Sequence, residues 1–562
     1  MPRIKLDPRL AILLAFTALL FAPLTAPGYF IFAHDARHTV YFLQMFDAAL
    51  RDGALYPRWA ADMVFGYGYP VWLILAPLPY YLGELFHLLG FDFVNAVKTV
   101  DAVGLVASGL AMYLFASRIL GKDAGLVAAV AYLFIPYHIV DLYVRGAQAE
   151  YLAFIFPPLV MWALYELVAA RRAVFVPLAA FSYAALILTH AQIAVIFSPV
   201  IGAYVLMLWI IYGQQGTSLL SFLVLPFLSI LLGLLLSATF LLPVALEQRY
   251  LKPESLIGGF FDFHQHFLNP SQLLSPFWGY GYAGINGGDQ FSLQLGILPL
   301  FLAALAIYGA WRNRDRVLSA HLIFFGMVSL VAIALMLSPS APLWDFAAPI
   351  IAFVQFPWRL LIVTALTLAF ISGAALRVFP SQDAYPAALV VSLLLALAMF
   401  PNAQPQYTDA PFTYNTLMDF EVQNHELLGE TIWSQQRPDD SPLVEQYRAG
   451  KLTQKAVVTA GNATVELVEH RSQGDTVRVT ASEPSHILFY TRYFPGWQMT
   501  IDGETTKNFG PYGEQGLIGV LVPAGTHIVT TRFGDTAPRQ IGAMVSLLSL
   551  IVAVVWLWRT RK

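Results

Sequence analysis

The sequence predicts a mostly α-helical fold, a polytopic transmembrane bundle that carries one small β-rich domain outside the membrane. Apolar residues make up 58% of the 562 residues and charged residues only 12%, whereas soluble domains are roughly 45–50% apolar. The mean hydropathy is +0.62. About twelve apolar stretches reach the roughly 20 residues that a helix needs to span a bilayer. Only residues 401–538 have the composition of a soluble domain.

The predicted spans follow one another along the whole chain. They lie near residues 10–32, 94–117, 124–142, 150–169, 173–190, 192–212, 218–245, 291–311, 317–338, 359–376, 384–400 and 540–558. The first run follows a short basic stretch, as a cleaved signal peptide would. Because no clear small-residue cleavage site precedes the polar segment, we expect an uncleaved first helix.

The basic residues predict the orientation. One further apolar stretch, 71–89, is interrupted by Pro77 and Pro79 and carries Glu84. If this stretch does not cross, the basic clusters near 118–122, 171–172, 312–316 and 559–562 all become cytoplasmic, as the positive-inside bias requires. We therefore expect both termini to lie in the cytoplasm of a prokaryotic cell, below its plasma membrane, and segments 33–93, 141–150, 246–290 and 401–538 to face outside.

Composition also excludes several functions. The formal net charge is −3, so no overall basic field favours nucleic acid. The chain has no cysteine, which excludes disulfides, thiol nucleophiles and thiolate metal sites.

The second half of segment 401–538 alternates apolar and polar residues as β-strands do. The passages are DTVRVTAS, HILFYTRYF, WQMTIDG and THIVTTRF, with turn signals FPGW and PAGT between them. The predicted organisation is therefore a transmembrane domain at 1–400 with outer loops 33–93 and 246–290, an extracytoplasmic β-rich domain at 401–538, and a final helix with a basic cytoplasmic tail at 539–562.

The first outer loop begins with a predicted amphipathic helix. Val40, Leu43, Phe46 and Leu50 fall on one face at helical spacing, which favours a helix that lies at the membrane interface. Asp35 stands just before this helix, where the chain leaves the bilayer. It could simply cap the helix, or it could serve chemistry.

Several passages occur in a distinctive order. They are GALYPRW in the first outer loop, PYHIVDLYVRGAQAEYLAF at 136–154, FVQFPWRLL at 353–361, and YFPGWQMTIDG with GLIGVLVPAGTHIV at 493–529. With the first span and the acidic residue beyond it, this order resembles the GT-C superfamily of multi-pass glycosyltransferases. More narrowly, it resembles the bacterial pyruvoyl-tetrahydropterin-synthase-related membrane proteins and the YfhO-type family.

The resemblance implies a GT-C-like fold and transfer of a sugar, with inversion, from a polyprenyl-phosphate donor at the outer face of the membrane. The acceptor would be an envelope glycan, lipid or protein. In that superfamily an acidic residue of the first outer loop serves as general base or orients the acceptor, and here it would be Asp35, because a positioned carboxylate can take the proton of the attacking hydroxyl. Pterin synthase activity is not expected, since the metal-binding histidine set of that soluble enzyme has no counterpart here.

Other charged residues are candidates for the same site. Glu150 precedes an apolar span and would be a second acid, or it could pair with Arg145. A phosphate leaving group needs fixed cations, and Arg58, Arg145 and Arg359 suit it because guanidinium forks match phosphate oxygens. The alternative for Arg359 is snorkelling toward the head groups.

Loop 246–290 is rich in aromatic, glycine and amide residues, as substrate-gripping loops are, and His264, His266 and Trp278 are its candidates. The two histidines would share one side of a strand, but no third metal ligand is evident. No cofactor follows from the sequence, and a divalent ion such as Mg²⁺ or Mn²⁺ stays an open alternative. His190 ends a span and is interpreted as a hydrogen-bonded interfacial residue.

Two functions compete with glycosyl transfer. A transporter or flippase of a lipid-linked substrate would show internal repeats and charges in midspan, yet no repeat is evident and Asp101 is the clearest midspan charge. A non-catalytic envelope-assembly protein would use the β-rich domain for binding and would need no catalytic carboxylate.

Overall fold

A computed structural model describes residues 7–30, 32–213, 219–313, 315–409, 411–424 and 429–560. The helices of the N-terminal half are α1 (Pro8–Phe21), α2 (Ala36–Arg51), α3 (Val71–Ile74), α4 (Leu78–Leu88), α5 (Phe93–Leu120), α6 (Lys122–Phe134), α7 (Pro136–Val140), α8 (Gln148–Ala153), α9 (Phe156–Ala169), α10 (Phe175–Thr189), α11 (Ala191–Tyr212), α12 (Leu219–Leu236) and α13 (Ala238–Glu247). Those that follow are α14 (Glu254–Ile257), α15 (Pro270–Leu274), α16 (Ile297–Asn313), α17 (Arg316–Met336), α18 (Ala341–Ile351), α19 (Leu361–Ala374), α20 (Ala384–Met399), α21 (Tyr414–Asn424), α22 (Val444–Arg448) and α23 (Ala537–Thr560).

The apolar helices confirm a membrane-spanning bundle. Within the described ranges, eight helices are long and apolar enough to cross a membrane, or up to ten if two bent pairs each form one span. The bent pairs turn by 45° after Phe134 and by 70° near Ser237, and α10 and α16 are shorter apolar helices. These segments coincide with the twelve predicted stretches, but a count of twelve spans is not confirmed.

The first outer loop is buried more deeply than expected. Along α2, most of the predicted apolar face is buried, with Leu50 half-buried, and Tyr41, Phe42 and Met45 are buried as well. The reason is that α21 covers the other face, where the rings of Tyr41 and Phe420 lie 5.4 Å apart. The predicted helix is therefore confirmed as α2, but protein covers both of its faces, and its place at the membrane interface stays a prediction. Segment 71–89 forms α3 and α4, which are too short to span a bilayer.

The C-terminal part contains a β-sandwich, as the strand pattern predicts. The strands are β1 (Ala456–Ala460), β2 (Ala463–Arg471), β3 (Gly474–Ala481), β4 (Ser485–Arg492), β5 (Trp497–Ile501), β6 (Glu504–Thr506), β7 (Phe509–Tyr512), β8 (Leu517–Val522) and β9 (Gly525–Phe533). They form two antiparallel sheets with strand orders β1-β4-β8-β7 and β2-β3-β9-β5-β6. Alternate residues such as Val477, Val479, Ile487 and Phe489 point inward and form the core between the sheets.

The β-sandwich shares its core with the first outer loop. Trp59 is almost fully buried, and its ring centroid lies 5.3 Å from that of Trp497 and 5.1 Å from that of Phe533. Gly68 makes room for the Trp59 indole, because a Cβ there would lie 2.6 Å from the indole nitrogen and the φ of Gly68 is +73°. The middle of the first outer loop is thus packed against the β-sandwich.

Candidate functional site

A cavity of about 520 Å³ opens where the first outer loop, the helical bundle and loop 246–290 meet. Its polar side is formed by residues near the ends of apolar helices, namely Asp35, Arg145, Gln148, Glu150, His190, Gln192, Gln355 and Arg359. Its apolar side extends between α10, α11, α12 and α13, with Ile187, Val195, Leu234, Leu241 and Val244. The cavity therefore combines a charged end with an apolar channel.

Asp35 lines the cavity and is exposed. It occupies the position before α2, but its side chain makes no capping hydrogen bond. Its backbone N–H instead donates to the carbonyl oxygen of Arg145 at 2.8 Å. The capping alternative thus lacks its hydrogen bond, and the carboxylate faces the cavity beside the segment that carries Arg145.

Segment 141–150 is buried, although the sequence predicts it as a polar outer segment. Asp141–Arg145 forms a π-helical turn, and Asp141 and Arg145 are 0% and 4% exposed. Gly146 ends the turn with φ +59°, and a Cβ there would lie 3.0 Å from the Cβ of Ala36. Because glycine permits both the conformation and the close approach, the turn folds inward against the start of α2. π-Turns of this kind are frequent at functional sites.

Glu150 forms the centre of an ion cluster at the polar end of the cavity. Its Oε2 lies 3.0 Å from Arg145 Nη1 and 3.2 Å from Arg359 Nε. Its Oε1 accepts a hydrogen bond from the Tyr137 hydroxyl at 2.5 Å. The pairing with Arg145, one of the two alternatives from the sequence, is therefore present, and both carboxylate oxygens already have partners.

Arg359 is held in a fixed orientation rather than snorkelling outward. Its Nη1 donates to the side-chain oxygens of Gln192 at 2.7 Å and Gln355 at 3.1 Å, and to the carbonyl of Val354 at 2.8 Å. The side chain is only 10% exposed and lines the cavity. A rigid guanidinium next to a cavity can bind an anion without first losing side-chain entropy.

Arg58 is not brought to this cavity. Its guanidinium donates to the carbonyl of Thr239 at 3.0 Å, stacks over Tyr56 at 4.0 Å and lies 3.7 Å from Asp535. These partners come from α13, the first outer loop and the segment before α23. Tyr56 belongs to the same local motif, but that motif gave no sign of Thr239 and Asp535, because both are remote in sequence. Arg58 thus joins parts of the fold, in contrast to Arg145 and Arg359.

Loop 246–290 does cover the cavity, but with residues other than those predicted. Phe260, Phe261, Tyr282 and Ala283 line the cavity, whereas His264, His266 and Trp278 do not. The imidazole of His34 stacks on Tyr282 with centroids 4.6 Å apart, which connects the loop to the residue before Asp35. Burial lowers the pKa of His34 to about 4, so this ring is neutral near pH 7.

The expected strand through His264 and His266 is wrong. Residues Phe263–Gln265 form a 3-10 turn, in which His264 contacts Asp262 at 2.6 Å and Asp345 at 2.8 Å. His266 is buried and contacts the Phe260 carbonyl at 2.6 Å. In the described part of the chain, no group of three or more His, Asp or Glu residues could hold a metal ion. The open alternative of a divalent ion therefore has no ligand set there.

Sequence reasoning missed several lining residues. His34, Gln148, Gln192 and Gln355 were not singled out, and His190, interpreted as an ordinary interfacial residue, lines the cavity. The sequence does contain one indication of His190, because this polar residue interrupts two apolar helices. The φ of +68° at Gln355, which turns that side chain toward Arg359, had no sequence signal because the residue is not a glycine.

Comparison with known proteins gives a family and a fold. The sequence model of one family, described as a 6-pyruvoyl-tetrahydropterin synthase related domain and membrane protein, matches residues 74–354, half of the chain. An uncharacterised protein of Lactococcus lactis subsp. cremoris (strain MG1363) is 26% identical over 202 residues, which are 35% of this chain and 33% of that protein.

Among solved structures, arabinofuranosyltransferase AftD from Mycobacteria aligns with a TM-score of 0.50 and 18% identity, over 79% of this chain and 31% of AftD. The oligosaccharyltransferase of Archaeoglobus fulgidus in its apo form aligns with a TM-score of 0.45 and 13% identity, over 79% of this chain and 62% of that one. The chain thus spans about a third of the length of the Lactococcus protein and of AftD. The likeness to AftD confirms the predicted GT-C-like fold.

Proposed function

The chain belongs to the family of 6-pyruvoyl-tetrahydropterin synthase related membrane proteins, and we propose that it is a glycosyltransferase that uses a polyprenyl-phosphate-linked sugar at the outer face of the membrane. The observation that carries the proposal is the cavity, in which one exposed carboxylate faces two fixed arginines and an apolar channel. The acceptor would be an envelope glycan, lipid or protein. The charge pattern of the loops supports an outward-facing site with both termini in the cytoplasm.

In this proposal Asp35 is the general base. The attacking acceptor hydroxyl must lose its proton as its oxygen bonds to the anomeric carbon, and the phosphate oxygen leaves with the electron pair of the broken bond. Asp35 is suited to accept the proton because its carboxylate is exposed to the cavity and has no capping bond. Attack from the side opposite the phosphate would invert the anomeric centre.

The leaving phosphate would bind at Arg359 and Arg145, since fixed cations stabilise the charge that develops in the transition state. Glu150 would not touch the acceptor, because Arg145, Arg359 and Tyr137 already occupy its oxygens. It is a positioning residue that aligns both guanidinium groups. Glu150 would therefore not be the second catalytic acid that the sequence suggests. It would act on the reaction only through Arg145 and Arg359.

The apolar channel supports a lipid-linked donor. Ile187 of α10, Val195 of α11 and Leu241 of α13 line it beyond the charged end. Such a channel can hold an alkyl chain that comes from the bilayer without exposing it to water, an exposure that costs about 0.8 kcal/mol for each CH₂. A soluble nucleotide sugar would leave this surface unused, whereas a polyprenyl phosphate would occupy the charged end and the channel together.

Substitution of Asp35 tests the proposal. Membranes with the Asp35→Asn variant should transfer radiolabelled sugar from polyprenyl-phosphate donors to envelope acceptors at least about 100-fold more slowly than wild type, as for loss of a general base. The matched control is Asp383→Asn. Asp383 is also exposed, also precedes a helix without a capping bond, and lies outside the cavity. Equal transfer by the two variants would exclude Asp35 as the base.

A further inference from the structure

The junction between α10 and α11 brings two neighbouring polar side chains to the cavity. α10 ends at Thr189 and α11 begins at Ala191, so His190 alone interrupts two apolar helices, with extended φ and ψ of −157° and 98°. Thr189 and His190 both line the cavity. Two residues further on, Gln192 binds Arg359. The junction is therefore next to the guanidinium that would bind the phosphate.

Thr189 is 1% exposed, and its hydroxyl has no hydrogen-bond partner among the described residues. Helical hydroxyls elsewhere in the bundle behave differently, since those of Thr17 and Ser198 donate to the carbonyl four residues earlier. Ser372 and Ser392 also lack partners, but neither lines the cavity. A buried unpaired hydroxyl costs about 1–3 kcal/mol, so the one at the cavity is a position for a ligand group.

The imidazole of His190 also has a buried polar atom, Nδ1, without a hydrogen-bond partner in the described part of the chain. Glu150, Arg145 and Arg359 act on this ring through their charges but do not hydrogen-bond to it. Together, Thr189 Oγ1 and His190 Nδ1 offer one donor-acceptor hydroxyl and one ring nitrogen that can bind a second group.

We propose that Thr189 and His190 form a subsite for the hydroxyl groups of a sugar ring, a proposal that rests on the proposed function. A sugar carries neighbouring hydroxyls that each donate and accept, which matches this pair. In a lipid-phosphate sugar the ring is directly attached to the phosphate, and the subsite adjoins Arg359 through Gln192. A ligand without the sugar ring, or with a deoxy sugar, would leave the polar groups of this site unpaired. The site would therefore discriminate strongly against such a ligand.

Two sugars could supply these hydroxyls, that of the donor and that of the acceptor. The distinction can be made by direct binding to the purified full-length protein in detergent, measured by native mass spectrometry. The probes are undecaprenyl phosphate, undecaprenyl phosphates that carry glucose, galactose or mannose, and the free methyl glycosides of these sugars as acceptor mimics.

Thr189→Val, which keeps the side-chain shape, and His190→Phe should each weaken binding of a sugar-bearing lipid about ten-fold, as for one lost hydrogen bond. Both variants should leave binding of undecaprenyl phosphate unchanged. If the variants instead weaken binding of a methyl glycoside, the subsite is supported with the acceptor sugar as its ligand. The matched control is Thr17→Val, which removes a buried hydroxyl far from the cavity and should change none of these affinities.

The two failures can be told apart. Absence of binding of every lipid phosphate to the wild type would overturn the proposed function and this subsite with it. Binding of undecaprenyl phosphate, with sugar-bearing probes unaffected by Thr189→Val and His190→Phe, would overturn the subsite alone.

Discussion

Two of the buried clusters of charged residues invite comparison, one in the helical bundle and one between the first outer loop and the β-sandwich. The bundle cluster consists of Glu150, Asp141, Arg145 and Arg359, and the junction cluster consists of Asp62, His470 and Asp475. Both contain ion pairs of about 3 Å and almost no exposed carboxylate. They differ in what surrounds them.

The junction cluster is closed. His470 lies 3.1 Å from Asp62 through Nε2 and 2.5 Å from Asp475 through Nδ1. Asp475 Oδ2 accepts from Thr491 at 3.2 Å, and the Tyr447 hydroxyl donates to Asp62. Every contact is internal, and the cluster connects β2 and β3 to the first outer loop. Its role is to hold the sandwich in place.

The bundle cluster is open on one side. Asp35, with no capping bond, and the unpaired Thr189 and His190 lie next to it at the cavity. The comparison teaches that a buried ion pair is by itself weak evidence of function. A site is indicated where an ion cluster borders a cavity with polar groups that the protein leaves unpaired.

The largest effect is expected for Glu150→Gln. This change removes the carboxylate that Arg145 and Arg359 share; Arg145 keeps its ion pair with Asp141, whereas Arg359 loses its pairing with Glu150. The free energy of unfolding should fall by about 3–5 kcal/mol, measured by thermal unfolding in detergent. Glu166→Gln is the control, because Glu166 is equally buried but pairs with the more exposed Arg118 and Arg172. A loss no greater than that of the control would show that Glu150 is not central to its cluster.

A substitution in the junction cluster should lower the stability of the protein without changing its activity. His470→Gln should lower the free energy of unfolding by about 3 kcal/mol, since it removes the imidazole that pairs with both Asp62 and Asp475 in a buried place. Transfer per folded molecule should remain at the wild-type level. A selective loss of turnover at unchanged stability would mean that the junction takes part in the chemistry.

The same cluster predicts a pH dependence. Burial alone lowers the pKa of His470, but the hydrogen bonds to Asp475 and Asp62 outweigh it and raise the pKa from 6.5 to about 9. The stabilisation is complete below pH 6.5 and is lost as the pH rises through 9. The free energy of unfolding should therefore fall by about 1.5 kcal/mol between pH 6.5 and about pH 8. Urea titrations at both pH values measure it, and His470→Gln should remove this part of the difference.

The smallest effect on stability is expected at the proposed base. Asp35→Asn should change the free energy of unfolding by less than about 0.5 kcal/mol, because the exposed carboxylate makes no capping bond. The measurement is thermal unfolding beside Asp383→Asn. A loss of several kcal/mol would place Asp35 with the structural clusters and would weaken its assignment to catalysis.

Much of the fold was predictable because its signals are local. A span is recognisable from its own apolar run, and a strand such as β3 from its own alternation. The position of Asp35 before α2 was predictable for the same reason. Residue types near the charged end, including Arg145, Glu150 and Arg359, were also identified, because charge at the end of an apolar span stands out in the sequence.

The sequence by itself therefore determined that this is a membrane bundle with a β-rich domain and which charges are unusual. Only the tertiary structure decided which of those charges meet. Glu150 and Arg359 are paired across 209 residues, while Arg58 binds Asp535 and stays outside the cavity. The physical reason is that local patterns encode the free energy of burial and of regular hydrogen bonding, whereas ion pairing depends on the packing of segments far apart in sequence.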